Sequence, residues 1–201
     1  MSVHQFLPPN NYFVNHSDYV WQEDIFSEDE LNQIEKIGDN LNIINGKAVN
    51  KNNEAVDNHS IRKCKISWMA KTPDTAFIYE KLGSFITHAN AHYYDFDLFG
   101  FVEDFQYTIY DEPEAHYGWH LDLPLKGRVP YRKLSLVLQL SDPATYEGGN
   151  LELLSSATAT IMQRKRGIVH LFPSYLLHRV TPVTKGVRKT LVVWVNGNRF
   201  K

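Results

Sequence analysis

The spacing of apolar positions changes near residue 100, and the change divides the chain into two kinds of segment. Before it, Leu31, Ile34, Ile37 and Leu41 fall at helical intervals. They follow Ser27-Glu28-Asp29-Glu30, a capping-box pattern in which the serine hydroxyl and the Glu30 carboxylate satisfy free amides at a helix start. An amphipathic helix is therefore predicted to about residue 41. A second is predicted to begin at Thr72-Pro73, because proline is tolerated at the first helical position, with Phe77, Ile78, Leu82, Phe85, Ile86 and Ala89 on its buried face. Between the helices, Asn45-Gly46 signals a tight turn, the polar stretch from Asn50 to Ser60 reads as an exposed loop, and Ile61 to Met69 reads as a strand.

From about Gly100 short apolar runs are punctuated by Gly and Pro. Strands are predicted near 101–110, 116–122, 133–141, 149–154, 157–163, 167–172, 177–182 and 187–196, with Gly148-Gly149 making one turn. This spacing predicts a mainly β fold with flanking helices (α+β), built on a double-stranded β-helix, or jelly roll, of about eight strands. The helices would cover one outer face of the roll. No repeat or linker interrupts the chain, so 1–201 reads as a single domain. Residues 1–99 form a helical and strand support region, and 100–197 the β-helix core.

Composition narrows the function without naming it. The 201 residues are 43% apolar and 22% charged, ordinary for a globular chain long enough to bury a core. A net charge of −2 gives no basic stripe, which disfavours nucleic acid as a partner. Cys64 is the only cysteine, so neither an intrachain disulfide nor a cysteine-based zinc cluster is available. That fits a reducing, cytoplasmic setting. No apolar run approaches the length of a membrane helix, and the first residues lack the pattern of a signal peptide. Oligomeric state is not legible.

The chemistry lies in His120, Asp122 and, after 55 intervening residues, His178. Two histidines and one carboxylate in this order suit a facial triad for non-haem Fe(II), with positions left open for ligands. His-x-Asp alone is weak evidence: nine His and twelve Asp supply roughly half of one such pair by chance. A second pair, His16 and Asp18, is in fact present, in a stretch with no strand around it. On a strand, residues 120 and 122 would point to one side, and a jelly roll can bring His178 from a distant strand. The bland alternative is a packed core histidine at 178 and a turn residue at 122. His116 is a tempting further ligand, but no glutamate follows it, and Gly118 among aromatics argues for strand over helix. His170, in Ile-Val-His-Leu-Phe, reads as a core or supporting group.

Arg188 opens a segment whose same-face set is Arg188, Thr190, Val192, Trp194 and Asn196. A guanidinium forks onto a carboxylate through two hydrogen bonds, as the distal end of 2-oxoglutarate would require, and Thr190 could add a hydroxyl. Tyr110 ends its strand on the same face as Gln106 and Thr108. A buried tyrosine hydroxyl needs a partner, so core packing and co-substrate binding both stay open for it.

These residues lie in Tyr117-Gly-Trp-His120-Leu-Asp122, in LSLVLQLSDPATYEGGNLELL, in GIVHLFPSYLLHRVTPV and in the Arg188–Trp194 segment. Together they resemble the prolyl 4-hydroxylase-like branch of the Fe(II)/2-oxoglutarate dioxygenases over roughly residues 100–197. The resemblance implies His120, Asp122 and His178 as iron ligands, Arg188 as the 2-oxoglutarate anchor and Tyr110 as a co-substrate contact. It also implies Tyr117 and Trp194 on the substrate side. Strict alternation would turn Tyr117 away from His120 unless Gly118 distorts the strand. The implied activity is C–H hydroxylation with release of succinate and CO2. Fe(II), 2-oxoglutarate and O2 would be the cofactors, with ascorbate a further candidate. A prolyl residue of a peptide or protein is the first-choice substrate. Another protein side chain or a free amino acid are alternatives, as is a non-redox cupin-like metal-binding protein. Candidate substrate lids are Leu123–Lys133, which contains Lys126, Arg128, Tyr131 and Arg132, and Gly46–Ser60.

Overall fold

A computed structural model of the chain describes residues 17–49, 55–111, 113–123 and 131–198. Among these, two antiparallel sheets are stacked with the cavity between them. The eight-stranded sheet runs in the order Val20–Gln22, Val169–Pro173, Tyr131–Gln139, Arg188–Gly197, Phe105–Tyr110, Lys65–Met69, Ile44–Asn45, and Leu98–Gly100 also pairs with Arg188–Gly197. The six-stranded sheet runs Thr160–Ile161, Leu151–Leu154, Leu177–Gly186, Ala115–His120, Arg62–Lys63, and Tyr146–Gly148 also pairs with Leu177–Gly186. This is the mainly β jelly roll with flanking helices that the spacing predicts. Both sheets also take strands from before residue 100.

Period-two alternation gives the larger sheet two different faces. Leu134, Leu136, Leu138, Leu191, Val193 and Val195 point outward into an apolar layer with the helices. Arg188, Thr190, Val192, Trp194 and Asn196 point inward, beside Gln106, Thr108 and Tyr110 of the neighbouring strand. Helix α1 (Glu28–Asp39) starts where the capping box places it: the Glu30 amide donates to Ser27 Oγ, and the Ser27 amide to Glu30 Oε2. Leu31 and Ile34 are its buried contacts. Helix α2 (Ala76–Ala89) buries Ile78, Tyr79, Leu82, Ile86 and Ala89. None of the described helices is long and apolar enough to cross a membrane.

Several local expectations are corrected. α2 begins three residues after Pro73, because Thr75 Oγ1 accepts from the Thr72 amide (2.8 Å) and donates to the Ala70 carbonyl (2.7 Å), closing a turn first. Asn45-Gly46 is not a turn; Ile44–Asn45 is strand, and the Gly46 amide donates to the Cys64 carbonyl. Glycine is there for room, since a Cβ would lie 2.7 Å from Cys64 Sγ and 2.8 Å from Arg62 Nε. The single strand expected over Ile61–Met69 is two. Arg62–Lys63 joins one sheet and Lys65–Met69 the other, with Cys64 at the corner between them. The strand expected at 101–110 is confined to Phe105–Tyr110, with Leu98–Gly100 as a separate piece. Within the expected 50–60 loop, Ala55–Val56 pairs with Ala48–Val49, while 50–54 lie outside the described residues. Most of the other candidate lid, 124–130 with Lys126 and Arg128, also lies outside them.

Candidate metal centre

His120 is the last residue of strand Ala115–His120, and His178 sits directly opposite it on Leu177–Gly186. Asp122 lies two residues beyond the strand end, because the strand expected over 116–122 stops at His120. Alternation therefore does not place its carboxylate. The Asp122 amide donates to the Ser174 carbonyl (3.0 Å), and Ser135 Oγ donates to Asp122 Oδ2 (2.7 Å) while bonding to Ser174 Oγ (2.9 Å). One ligand atom from each of the three side chains lies within 4.8 Å of the others. His120 Nε2 is 3.6 Å from Asp122 Oδ1, and His178 Nε2 is 3.3 Å from Oδ2.

The imidazoles are presented alike. His120 Nδ1 lies 2.8 Å from the Gly118 carbonyl, and His178 Nδ1 lies 2.8 Å from the Leu176 carbonyl. A carbonyl can only accept, so each Nδ1 carries the proton and each Nε2 lone pair faces the shared centre. Burial, together with His178, lowers the His120 pKa to about 3, which keeps that ring neutral. Burial would push the Asp122 carboxyl up, but His178 and His120 beside it hold it well below the usual carboxylate range. Burial opposes charge on His178, yet the Asp122 carboxylate outweighs it and raises the pKa. A carboxylate oxygen and two imidazole nitrogens converging on one point suit Fe(II), and the donor set fits that ion.

The centre opens into a cavity of about 590 Å³ between the sheets, lined among others by Arg188, Thr190, Tyr110, Tyr117 and Trp194. Arg188 is 2% exposed, and its Nε has no hydrogen-bond partner. It makes no ion pair with any described residue. A buried guanidinium left this way is costly, and a bound carboxylate would supply what it lacks. Gly149 makes room for it, because a Cβ there would lie 2.9 Å from Arg188 Cδ. Tyr110 is fully covered, 5.4 Å from the Arg188 guanidinium, and burial raises the pKa of its hydroxyl. Thr190 follows on the same face.

Tyr117 does face the centre. The pairs His178–His120 and Val180–Tyr117 set two residues against three, so the strand bulges at Gly118-Trp119. The bulge returns Tyr117 to the side of His120, and the two rings stack with centroids 3.5 Å apart. Trp194 lies 6.2 Å from Trp68 and carries the Arg132 guanidinium 3.6 Å from its ring, where Arg132 forks onto Glu103.

Two contributors could not be picked from the sequence. Ser135, which orients Asp122, is one of several serines and reaches its partner only across the roll. Arg62 lines the cavity 4.5 Å from the Tyr117 ring, in a stretch whose spacing marks only a strand. The residues set aside fall elsewhere. His116 bonds the Glu114 and Ser60 carbonyls, and His170 is buried with Nε2 on the Gln163 carbonyl. Asp18 of the decoy pair is exposed, and His16 lies outside the described residues.

Residues 105–196 match the 2OG-Fe(II) oxygenase superfamily. A PKHD-type hydroxylase of Hyphomonas neptunium is 40% identical over 82 residues, covering 39% of this chain and 37% of that protein. One of Crocosphaera subtropica is 38% identical over 87 residues, covering 42% and 39%. The chain thus spans well under half the length of the curated relatives it matches. A prolyl hydroxylase of Trichoplax adhaerens, solved with a hypoxia inducible factor oxygen degradation domain peptide, superposes with a TM-score of 0.73 at 17% identity, covering 90% of this chain and 84% of that one. A viral collagen prolyl hydroxylase of Paramecium Bursaria Chlorella virus-1 gives 0.69 at 17% identity, covering 92% and 99%. At these identities the likeness is one of fold.

Proposed function

We propose that this chain, whose strand core is a 2OG-Fe(II) oxygenase domain of the prolyl 4-hydroxylase-like branch, hydroxylates a C–H bond with consumption of 2-oxoglutarate and O2 and release of succinate and CO2. The observation that carries this is one cavity holding both a His–Asp–His centre and a buried guanidinium without a counter-ion among the described residues. Either feature alone is compatible with a metal-binding or structural role. Together they match the two ends of 2-oxoglutarate, one chelating a metal and one free to pair with arginine.

In this reading His120, Asp122 and His178 hold Fe(II) on one face. When bound, that metal with 2-oxoglutarate and O2 supplies the oxidising chemistry. Arg188 fixes the distal carboxylate, with Tyr110 and Thr190 beside it. The apolar wall of Val137, Leu151, Val180 and Val192 keeps bulk water from that end of the cavity. Tyr117 and Trp194 line the substrate side. A prolyl residue of a peptide or protein is the substrate favoured by the prolyl hydroxylase neighbours, and residues 100–197 supply the metal and 2-oxoglutarate residues.

Succinate formation from 2-oxoglutarate by the Fe(II)-loaded protein, followed with and without proline-containing peptides, tests the reading. Turnover that proline peptides stimulate supports it. Well-folded, iron-loaded protein that forms no succinate under any of these conditions refutes it and leaves a metal-binding jelly roll.

A further inference from the structure

Arg62 is a second buried guanidinium in the same cavity, 8% exposed. Its hydrogen bonds all end on neutral acceptors. Nε donates to Cys64 Sγ (3.1 Å), one terminal nitrogen to the Lys47 carbonyl (3.2 Å) and the other to Gln106 Oε1 (2.7 Å). Among the described residues no carboxylate pairs with it. These bonds leave one N–H on each terminal nitrogen uncommitted. The glycine at 46 lets the backbone close over the guanidinium, so the side chain is held rather than free to swing into solvent.

Charge in the loaded cavity then leaves a remainder. On the proposed reading, Fe(II), the Asp122 carboxylate, dianionic 2-oxoglutarate and Arg188 are together neutral. Arg132 and Glu103 neutralise each other at the rim, and Lys47 is exposed. Arg62 is left as one buried positive charge with no counter-charge, and burying an unpaired ion is costly in a low-dielectric site. The three bonds that tie Arg62 to its neighbours do not require its charge. A neutral donor would satisfy a thiol, a carbonyl and an amide oxygen equally well.

We infer that Arg62 is a substrate subsite that pairs with a carboxylate of the substrate, so that the preferred substrate carries a free carboxylate or an acidic side chain close to the hydroxylated carbon. This rests on the proposed oxygenase reading and narrows its substrate class. The position suits the role, since Arg62 sits over Tyr117, whose ring stacks on the ligand His120.

The test separates this subsite from the oxygenase reading by measuring binding instead of turnover. Protein loaded with Zn(II) and 2-oxoglutarate is titrated with butyrate and with its neutral isostere butyramide, and binding is followed by ligand-observed NMR. Butyrate is expected to bind at least about tenfold more tightly, as a charge-assisted pair requires. Arg62→Gln should erase the difference, Arg62→Lys should retain much of it, and 2-oxoglutarate affinity should stay within about twofold in both. Equal binding of the two probes to the wild-type protein overturns the inference, whatever the variants do. So does a preference that survives in folded Arg62→Gln. Loss of Zn(II) or 2-oxoglutarate binding by the wild type would instead count against the oxygenase reading on which the inference rests.

Discussion

At the scale of single residues, the two ends of 2-oxoglutarate have separate partners on the proposed reading. Replacing Arg188 with Ala removes the partner for the distal carboxylate while leaving the metal ligands in place. We expect the 2-oxoglutarate KM to rise by about 10- to 100-fold, the range of a charge-assisted bidentate contact, with Fe(II) affinity unchanged. Steady-state succinate assays and a metal titration check this. Ser135→Ala removes the hydroxyl that orients Asp122 Oδ2. Loss of such a supporting contact typically weakens metal affinity by about 10- to 100-fold, which competition with a chelator would measure. The triad and Arg188 were legible because their spacing and residue types are unusual together. Ser135 and Arg62 were not, because their roles come from partners 13 and 44 residues away that only the folded sheets bring close.

At the scale of elements, prediction succeeded where local chemistry settles the structure and failed where distant packing does. α1 was readable because its capping box is a contact within four residues. The start of α2 was not, because Thr75 diverts the chain into a turn that uses the Ala70 carbonyl. Ile61 to Met69 looks like one continuous strand, yet the chain passes from one sheet to the other at Cys64, and nothing in the period-two pattern announces a corner. The Gly118-Trp119 bulge is the opposite case. The conflict between Tyr117 and strict alternation pointed to a distortion there, and the register shift supplies it. The turn at Gly148-Gly149 offers an element-level test. Gly148 has φ +72°, and an added Cβ would collide with the Pro182 carbonyl of the adjacent strand. Gly148→Ala should cost at least about 1–3 kcal/mol in chemical denaturation, combining backbone strain with the displaced strand. A neutral effect would mean the turn is not held as described.

At the scale of the whole molecule, the roll brings together cavity-lining side chains that neither sheet holds alone. His120 and His178 come from the smaller sheet, while Ser135, Arg188, Thr190 and Tyr110 come from the larger. Anything that bridges them should stabilise the folded chain. Zn(II) and 2-oxoglutarate, each at about 100 times its dissociation constant, should each add roughly 2.7 kcal/mol to the folding free energy by mass action, about 5.4 kcal/mol together. The melting temperature should rise accordingly, and the metal-dependent part of the rise should vanish in His178→Ala. The central claim is that His120, Asp122 and His178 hold one Fe(II) ion that 2-oxoglutarate chelates. An anaerobic titration of the apoprotein with Fe(II) and 2-oxoglutarate, followed by visible absorption, tests it most directly. The account predicts a weak metal-to-ligand charge-transfer band that needs both additions and is lost in His178→Ala. A band that persists in that variant, or its absence from well-folded, metal-loaded wild-type protein, would contradict it.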